Sequence, residues 1–143
     1  MGTKKPYKSV EPAFGAEAEN AFRFLLDEFG FTGPERDDFM MPSLTYHSPA
    51  VRYVVTLDTH EDRVSVTAWL KRDGAATSAE LESLVTASGT GSGQQVFTSA
   101  RTVAALLKAL ADQAQWLRRL HPILTAEGGS ELIERIGRRW TAR

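Results

Sequence analysis

The sequence predicts an α+β fold, with an antiparallel three- to four-stranded meander packed on one face by an N-terminal helix and a long C-terminal helix. Three observations carry this. Apolar residues recur at three- and four-residue steps near both ends of the chain, which is the period of a helix with one buried face. Between them, apolar and polar residues alternate over three consecutive stretches separated by turn residues, which is the period of strands with one buried face. Helices and strands segregate along the chain rather than alternating, which favours helices stacked on an antiparallel sheet.

The first helix is expected from Ala13 to Phe29. Phe14, Ala18, Ala21, Phe22, Leu25 and Phe29 form its stripe, Pro12 suits its first turn and Gly30 its exit. Residues 1–12, with Lys4, Lys5, Lys8, Pro6 and Pro12, read as a flexible tail before a single domain over 13–143. Gly33-Pro34 and the charged run Glu35-Arg36-Asp37-Asp38 read as a loop. Strands follow at Ser43 to His47, Val51 to Leu57 and Val64 to Leu70, with Ser48-Pro49 and Asp58 to Asp62 as turns. Thr77 and Glu80 have capping-box spacing before Leu81, Leu84 and Val85, which predicts a short helix. Gln95-Val96-Phe97 is expected as a short fourth strand or an extended lead-in. The longest helix should begin at the N-cap Ser99, carry Val103, Leu106, Leu107, Leu110, Ala114 and Leu117 on its stripe, and stop before Pro122. Ser130 should cap a last helix with Leu132, Ile133, Ile136 and Trp140 on one face.

The chain has 143 residues, 17 Lys and Arg, 18 Asp and Glu, and no Cys. A single domain of this length buries roughly 70% of its unfolded surface, so it needs no disulfide or metal to hold a core. Without cysteine, thiolate zinc sites, iron–sulfur clusters and cysteine nucleophiles are excluded. No apolar core follows the first lysines, and no apolar run approaches the ~18 residues that span a bilayer, so a cytoplasmic protein without membrane attachment is expected.

Motifs that would carry chemistry do not complete. Gly89-Thr90-Gly91-Ser92-Gly93 is followed by Gln94 and Gln95, not by the Lys and hydroxyl of a phosphate-binding loop, so a solvated linker is expected. Asp58, His60 and Asp62 have alternate spacing that could ligate a cation, but acids in a hairpin ordinarily bond their own backbone. His47 and His121 stand apart from any Ser or Asp at a catalytic spacing. No catalytic residue, metal ligand or cofactor is assigned. From Ser9 to Ala50 eight carboxylates face two arginines, whereas from Arg101 onward eight basic residues face four carboxylates. The overall pI near 6.3 speaks against a dedicated nucleic-acid binder. Phe24, Trp69 and Trp116 lie off the main stripe of their elements, the position of interface aromatics.

The stretch Phe22-Arg23-Phe24-Leu25-Leu26-Asp27-Glu28-Phe29-Gly30-Phe31 resembles the opening of small bacterial immunity-type proteins of polymorphic toxin systems and of uncharacterised α+β relatives from high-GC bacteria. That resemblance implies a cytoplasmic, non-enzymatic protein that binds a protein partner, and it carries over no functional residue. The expected binding surface is an acidic helix face or the open sheet face. Glu17, Asp27, Glu28, Glu35, Asp37 and Asp38 would steer a basic partner, and Trp69 would anchor it. Two other classes are held open. The helix–meander–helix order also resembles acidic secretion chaperones, which implies an escort-type homodimer. A small-ligand or enzyme domain would place its pocket between sheet and long helix.

Overall fold

The computed structural model describes residues 6–72 and 74–141. The chain is α+β, as the patterning predicts, but the sheet has six strands. In chain order the elements are α1 (Pro6–Ala21), α2 (Phe24–Asp27), β1 (Thr32–Asp37), β2 (Ser43–His47), β3 (Arg52–Asp58), β4 (Arg63–Arg72), β5 (Ala75–Glu80), α3 (Leu81–Ser88), α4 (Val103–Thr125), α5 (Gly129–Ile136) and β6 (Arg138–Thr141). The strands lie in the order β1-β2-β3-β4-β5-β6, every neighbouring pair antiparallel. On one face Leu44, Tyr46, Tyr53, Val55, Leu57, Val64, Val66 and Ala68 are at most 2% exposed. Alternation with a period of two puts all eight on the same side, beneath the helices. The opposite face carries Thr45, Val54, Thr56, Ser65, Thr67 and Trp69, each half-buried.

Several elements differ from the sequence reading, each for a local reason. The first helix starts at Pro6 rather than Ala13, so residues 6–12 are helical instead of a loose tail; residues 1–5 of that segment lie outside the described residues. Val10, Phe14, Ala18 and Phe22, four apart and at most 2% exposed, make one buried line that continues through the turn occupied by Pro12. That proline gives up one backbone hydrogen bond, which burial of the line offsets. The expected continuous helix to Phe29 is instead broken at Phe22 and Arg23. The break changes the helical phase and buries Phe24, which an unbroken stripe would leave outside.

The run Glu35-Arg36-Asp37, expected as loop, is an edge strand. Its residues are exposed and its register shifts between Thr32 and Glu35, so no alternation betrays it. Ala75–Glu80 is likewise a strand, not a helix lead-in. It is hydrogen-bonded on both sides, to β4 and β6, and two ladders outweigh one local cap. Helix α3 therefore has Glu80 as its N-cap residue, in extended conformation and without a side-chain cap. The glycine-rich segment is folded rather than a free linker. Ser92 and Gln95 form a reciprocal capping box on a single 3-10 turn, and Gly93 N–H donates to Thr86 Oγ1 at 2.8 Å. No room exists for a side chain at Gly93, since a Cβ would stand 2.8 Å from the Glu82 carbonyl oxygen.

Helix α4 begins after Thr102, whose hydroxyl accepts from Ala105 N–H at 3.0 Å, so Ser99 is not its cap. It also runs through Pro122 to Thr125. Leu120, His121 and Leu124 are buried around the proline, and that packing sustains the turn despite the missing N–H. After α5, capped at Gly128 rather than Ser130, the chain turns at Gly137 and Trp140 lies on β6, not on the helix.

Beside the first half of β4 the β5 position is vacant, because β5 pairs only with Thr67 to Arg72. The segment leading into α4 fills it. Val64 N–H donates to Thr98 O at 2.9 Å, Ala100 N–H to Asp62 O at 2.8 Å, and Arg63 bridges to Ser99. Gln113 of α4, fully buried, completes this edge by donating Nε2–H to the carbonyls of Val64 (2.9 Å) and Phe97 (2.8 Å). The expected fourth strand at Gln95 to Phe97 is this extended lead-in, and Asp112 Oδ2 receives the Phe97 N–H at 2.8 Å.

Candidate functional site

Between α1, α2 and α4 lies a groove of about 490 Å³. Its floor is apolar, with Phe24, Leu110 and Leu107; Leu107 is 41% exposed, one of few large apolar side chains at the surface. Its rim carries Glu17 from α1, Asp27 at the end of α2 and Glu28 just past it. The phase change after Ala21 turns the last two toward α4. One guanidinium, Arg118, lies among these three carboxylates, paired with Glu28 and 4.9 Å from the Phe24 ring centroid. Arg23 sits 3.6 Å from Asp27 on exposed helix surface. The groove thus sets one exposed leucine inside a rim where three carboxylates outnumber one guanidinium, with Arg23 pairing Asp27 from outside.

Three of the seven residues singled out from sequence, Glu17, Asp27 and Glu28, converge here. The other four do not. Asp37 closes β1, and its Oδ1 accepts from Phe39 N–H at 2.8 Å, while Asp38 follows in the turn, 3.5 Å from Arg36. Glu35 lies 2.7 Å from Nε2 of His47. Trp69 is on the far side of the sheet, half-buried, with Arg52 Cζ 5.3 Å from its ring centroid and the Trp140 ring 6.1 Å away. Sequence reasoning missed Arg52, Lys71, Arg138 and Trp140 as companions of Trp69. The signal for Arg52 was present, since it shares the off-core parity of its strand. Trp140 needed the strand pairing of β5 with β6, which local periodicity does not reveal. Of the other two off-stripe aromatics, Phe24 forms the groove floor and Trp116 is buried in the core.

The three histidines occupy three different settings. His47 is on β2, facing away from the helices beside Glu35. His60 is in the β3–β4 turn, where Asp58 Oδ1 accepts from the amides of His60 (2.9 Å) and Glu61 (3.1 Å), so this acid serves the turn. His121 is in the core, its Nδ1 hydrogen-bonded to the Tyr53 hydroxyl at 2.7 Å. The rings of Phe29 and Phe31 lie 4.4 and 5.2 Å from its ring centroid. Burial disfavours charge on both partners, lowering the His121 pKa and raising that of Tyr53. Among the described residues no group of three or more His, Asp or Glu is placed to hold a metal ion, and no helix is long and apolar enough to cross a membrane.

Comparison with family models, with curated proteins and with solved structures gave no match to this chain. The groove and the sheet surface therefore rest on their own chemistry.

Proposed function

We propose that this protein is a non-enzymatic binding protein of immunity or escort type, which takes a basic segment of a protein partner in the groove between α1, α2 and α4. The carrying observation is the convergence of Glu17, Asp27 and Glu28 around an apolar floor that includes the exposed Leu107. Carboxylates at the rim would steer a cationic partner and fix its register, while the exposed Leu107 would supply apolar contact area. The resemblance of residues 22–31 to immunity-type proteins supports the same reading.

A monomer fits this role better than an escort-type homodimer built on sheet edges. Pro34, a register shift and three charged residues blunt β1, and β6 is four residues long. The decisive experiment is quantitative affinity capture from native cytoplasm with the wild-type chain and the double variant Glu17→Lys/Asp27→Lys, followed by cross-linking of the captured partner. A stoichiometric partner whose basic segment cross-links to the groove, and whose association slows at least about tenfold in the variant, supports the reading. A partner held equally by both chains, or cross-linked only elsewhere, overturns it.

A further inference from the structure

The sheet face turned away from the helices carries a band of aromatic and cationic side chains. Cross-strand register lines up His47, Arg52, Trp69, Ser78 and Arg138 from β2 to β6, with Lys71, Ala76 and Trp140 in the adjoining row. Neither row contains a carboxylate. Among the described residues, carboxylates next to these rows are Glu35, beside His47, and Glu80, one row further along opposite Thr67. The two indoles lie 6.1 Å apart with 35° between their planes. Arg52 lies 5.3 Å from the Trp69 ring centroid and Arg138 lies 4.3 Å from that of Trp140. Trp140 is fixed by its Nε1–H, which donates to Ser78 Oγ at 3.1 Å, and remains 44% exposed. Next to Trp69 the face sinks into a depression of about 540 Å³, where the small side chain of Ala76 leaves room and Arg52, Lys71 and His47 stand around it.

We infer that this band is a binding platform for single-stranded nucleic acid. Indole rings, each with a guanidinium lying over it, match a ligand made of planar bases joined by phosphates: a base takes the guanidinium's place on the ring, and the displaced guanidinium, with the Lys71 ammonium, meets the backbone. A duplex hides its base faces, so only unpaired nucleotides can stack on these indoles. The longer row crosses four strand spacings, about 19 Å, which exceeds a single nucleotide and suits a short strand. The overall pI near 6.3 speaks against a chain basic throughout, but the potential that a ligand meets is set by the groups on one face. The platform lies on the opposite side of the sheet from the helical groove and is independent of the function proposed for that groove.

The test is fluorescence anisotropy of a labelled single-stranded RNA or DNA of roughly 12 nucleotides against the full chain. Three phosphate contacts, from Arg52, Lys71 and Arg138, should give a log–log salt slope of about −2. Trp69→Ala and Trp140→Ala should each weaken binding about 5- to 150-fold. Arg52→Glu and Arg138→Glu change exposed side chains and act as variants that keep the fold; each should weaken binding to all sequences and flatten the salt slope by about 1. Failure of the wild-type chain to bind either strand overturns the inference. So does binding that is indifferent to all four substitutions, a duplex of the same sequence bound as tightly, or full competition by a mononucleotide or an acidic peptide at the strand's own affinity.

Discussion

Replacing Gln113 by Leu should unseal the upper edge of β4. Gln113 is fully buried, and its amide gives both Nε2 hydrogens to main-chain carbonyls, Val64 O at 2.9 Å and Phe97 O at 2.8 Å. Val64 uses its N–H on Thr98, so its carbonyl points to the same edge, where no strand lies. Leucine conserves the size of the side chain and strands both carbonyls, at about 1–3 kcal/mol each. It also removes Gln113 Oε1, a buried oxygen without a hydrogen-bond partner among the described residues, which returns about 1–3 kcal/mol. The net expectation is a loss of about 1–3 kcal/mol. With an m-value of about 2 kcal/mol/M in urea, the midpoint should fall by roughly 0.5–1.5 M. Hydrogen exchange should quicken first at the Val64 and Ala100 amides, which bond across the same edge. Gln113→Glu should cost more, because a carboxylate would face two carbonyl oxygens. A Leu variant within about 0.5 kcal/mol of wild type, with unchanged exchange at those amides, would refute the argument by showing that the two carbonyls find other donors.

Two further outcomes are expected. Burial holds His121 neutral with its pKa below the unfolded value of 6.5, so above pH 6.5 this residue contributes no pH dependence. As the pH falls below 6.5 the unfolded chain takes up the proton first, and stability should fall; His121→Gln should lose that excess slope in urea titrations below pH 6.5. An identical slope in both chains would remove His121 from the account. At Gly137 an added Cβ would stand 2.4 Å from Ile133 O and 2.6 Å from Ser78 O, both backbone atoms, so Gly137→Ala should destabilise by about 1–3 kcal/mol and displace β6. Increased solvent exposure of Trp140 fluorescence would report that displacement, and an unaltered emission spectrum would count against it.

What could be read from sequence follows the physics of burial. β2, β3 and β4 have one face at the core and one turned away, and their residues alternate accordingly. β1 is exposed on both faces and carries Gly33 and Pro34, so nothing in its sequence marks a strand. β5 is a run of small residues whose conformation is fixed by ladders on both sides. β6 is too short for periodicity and is defined by Ser78 and its neighbours, far earlier in the chain. The same division applies to function. Glu17, Asp27 and Glu28 share a groove because α1 and α2 are close in sequence and a short break turns the last two toward α4, whereas the partner of Trp69 comes from much later in the sequence. Pro12 and Pro122 mark helix boundaries on local grounds, and in both α1 and α4 the buried neighbours prevail.

The pairing of Ser78 with Arg138 sets an order of assembly. Strands β1 to β5 each find a neighbour adjacent in sequence and can zip as soon as they exist, whereas β6 must wait until three helices have packed and Gly137 has settled against β5. An immature molecule therefore shows Trp69 without Trp140. A ligand that reads both indoles together needs β6 in place beside β5.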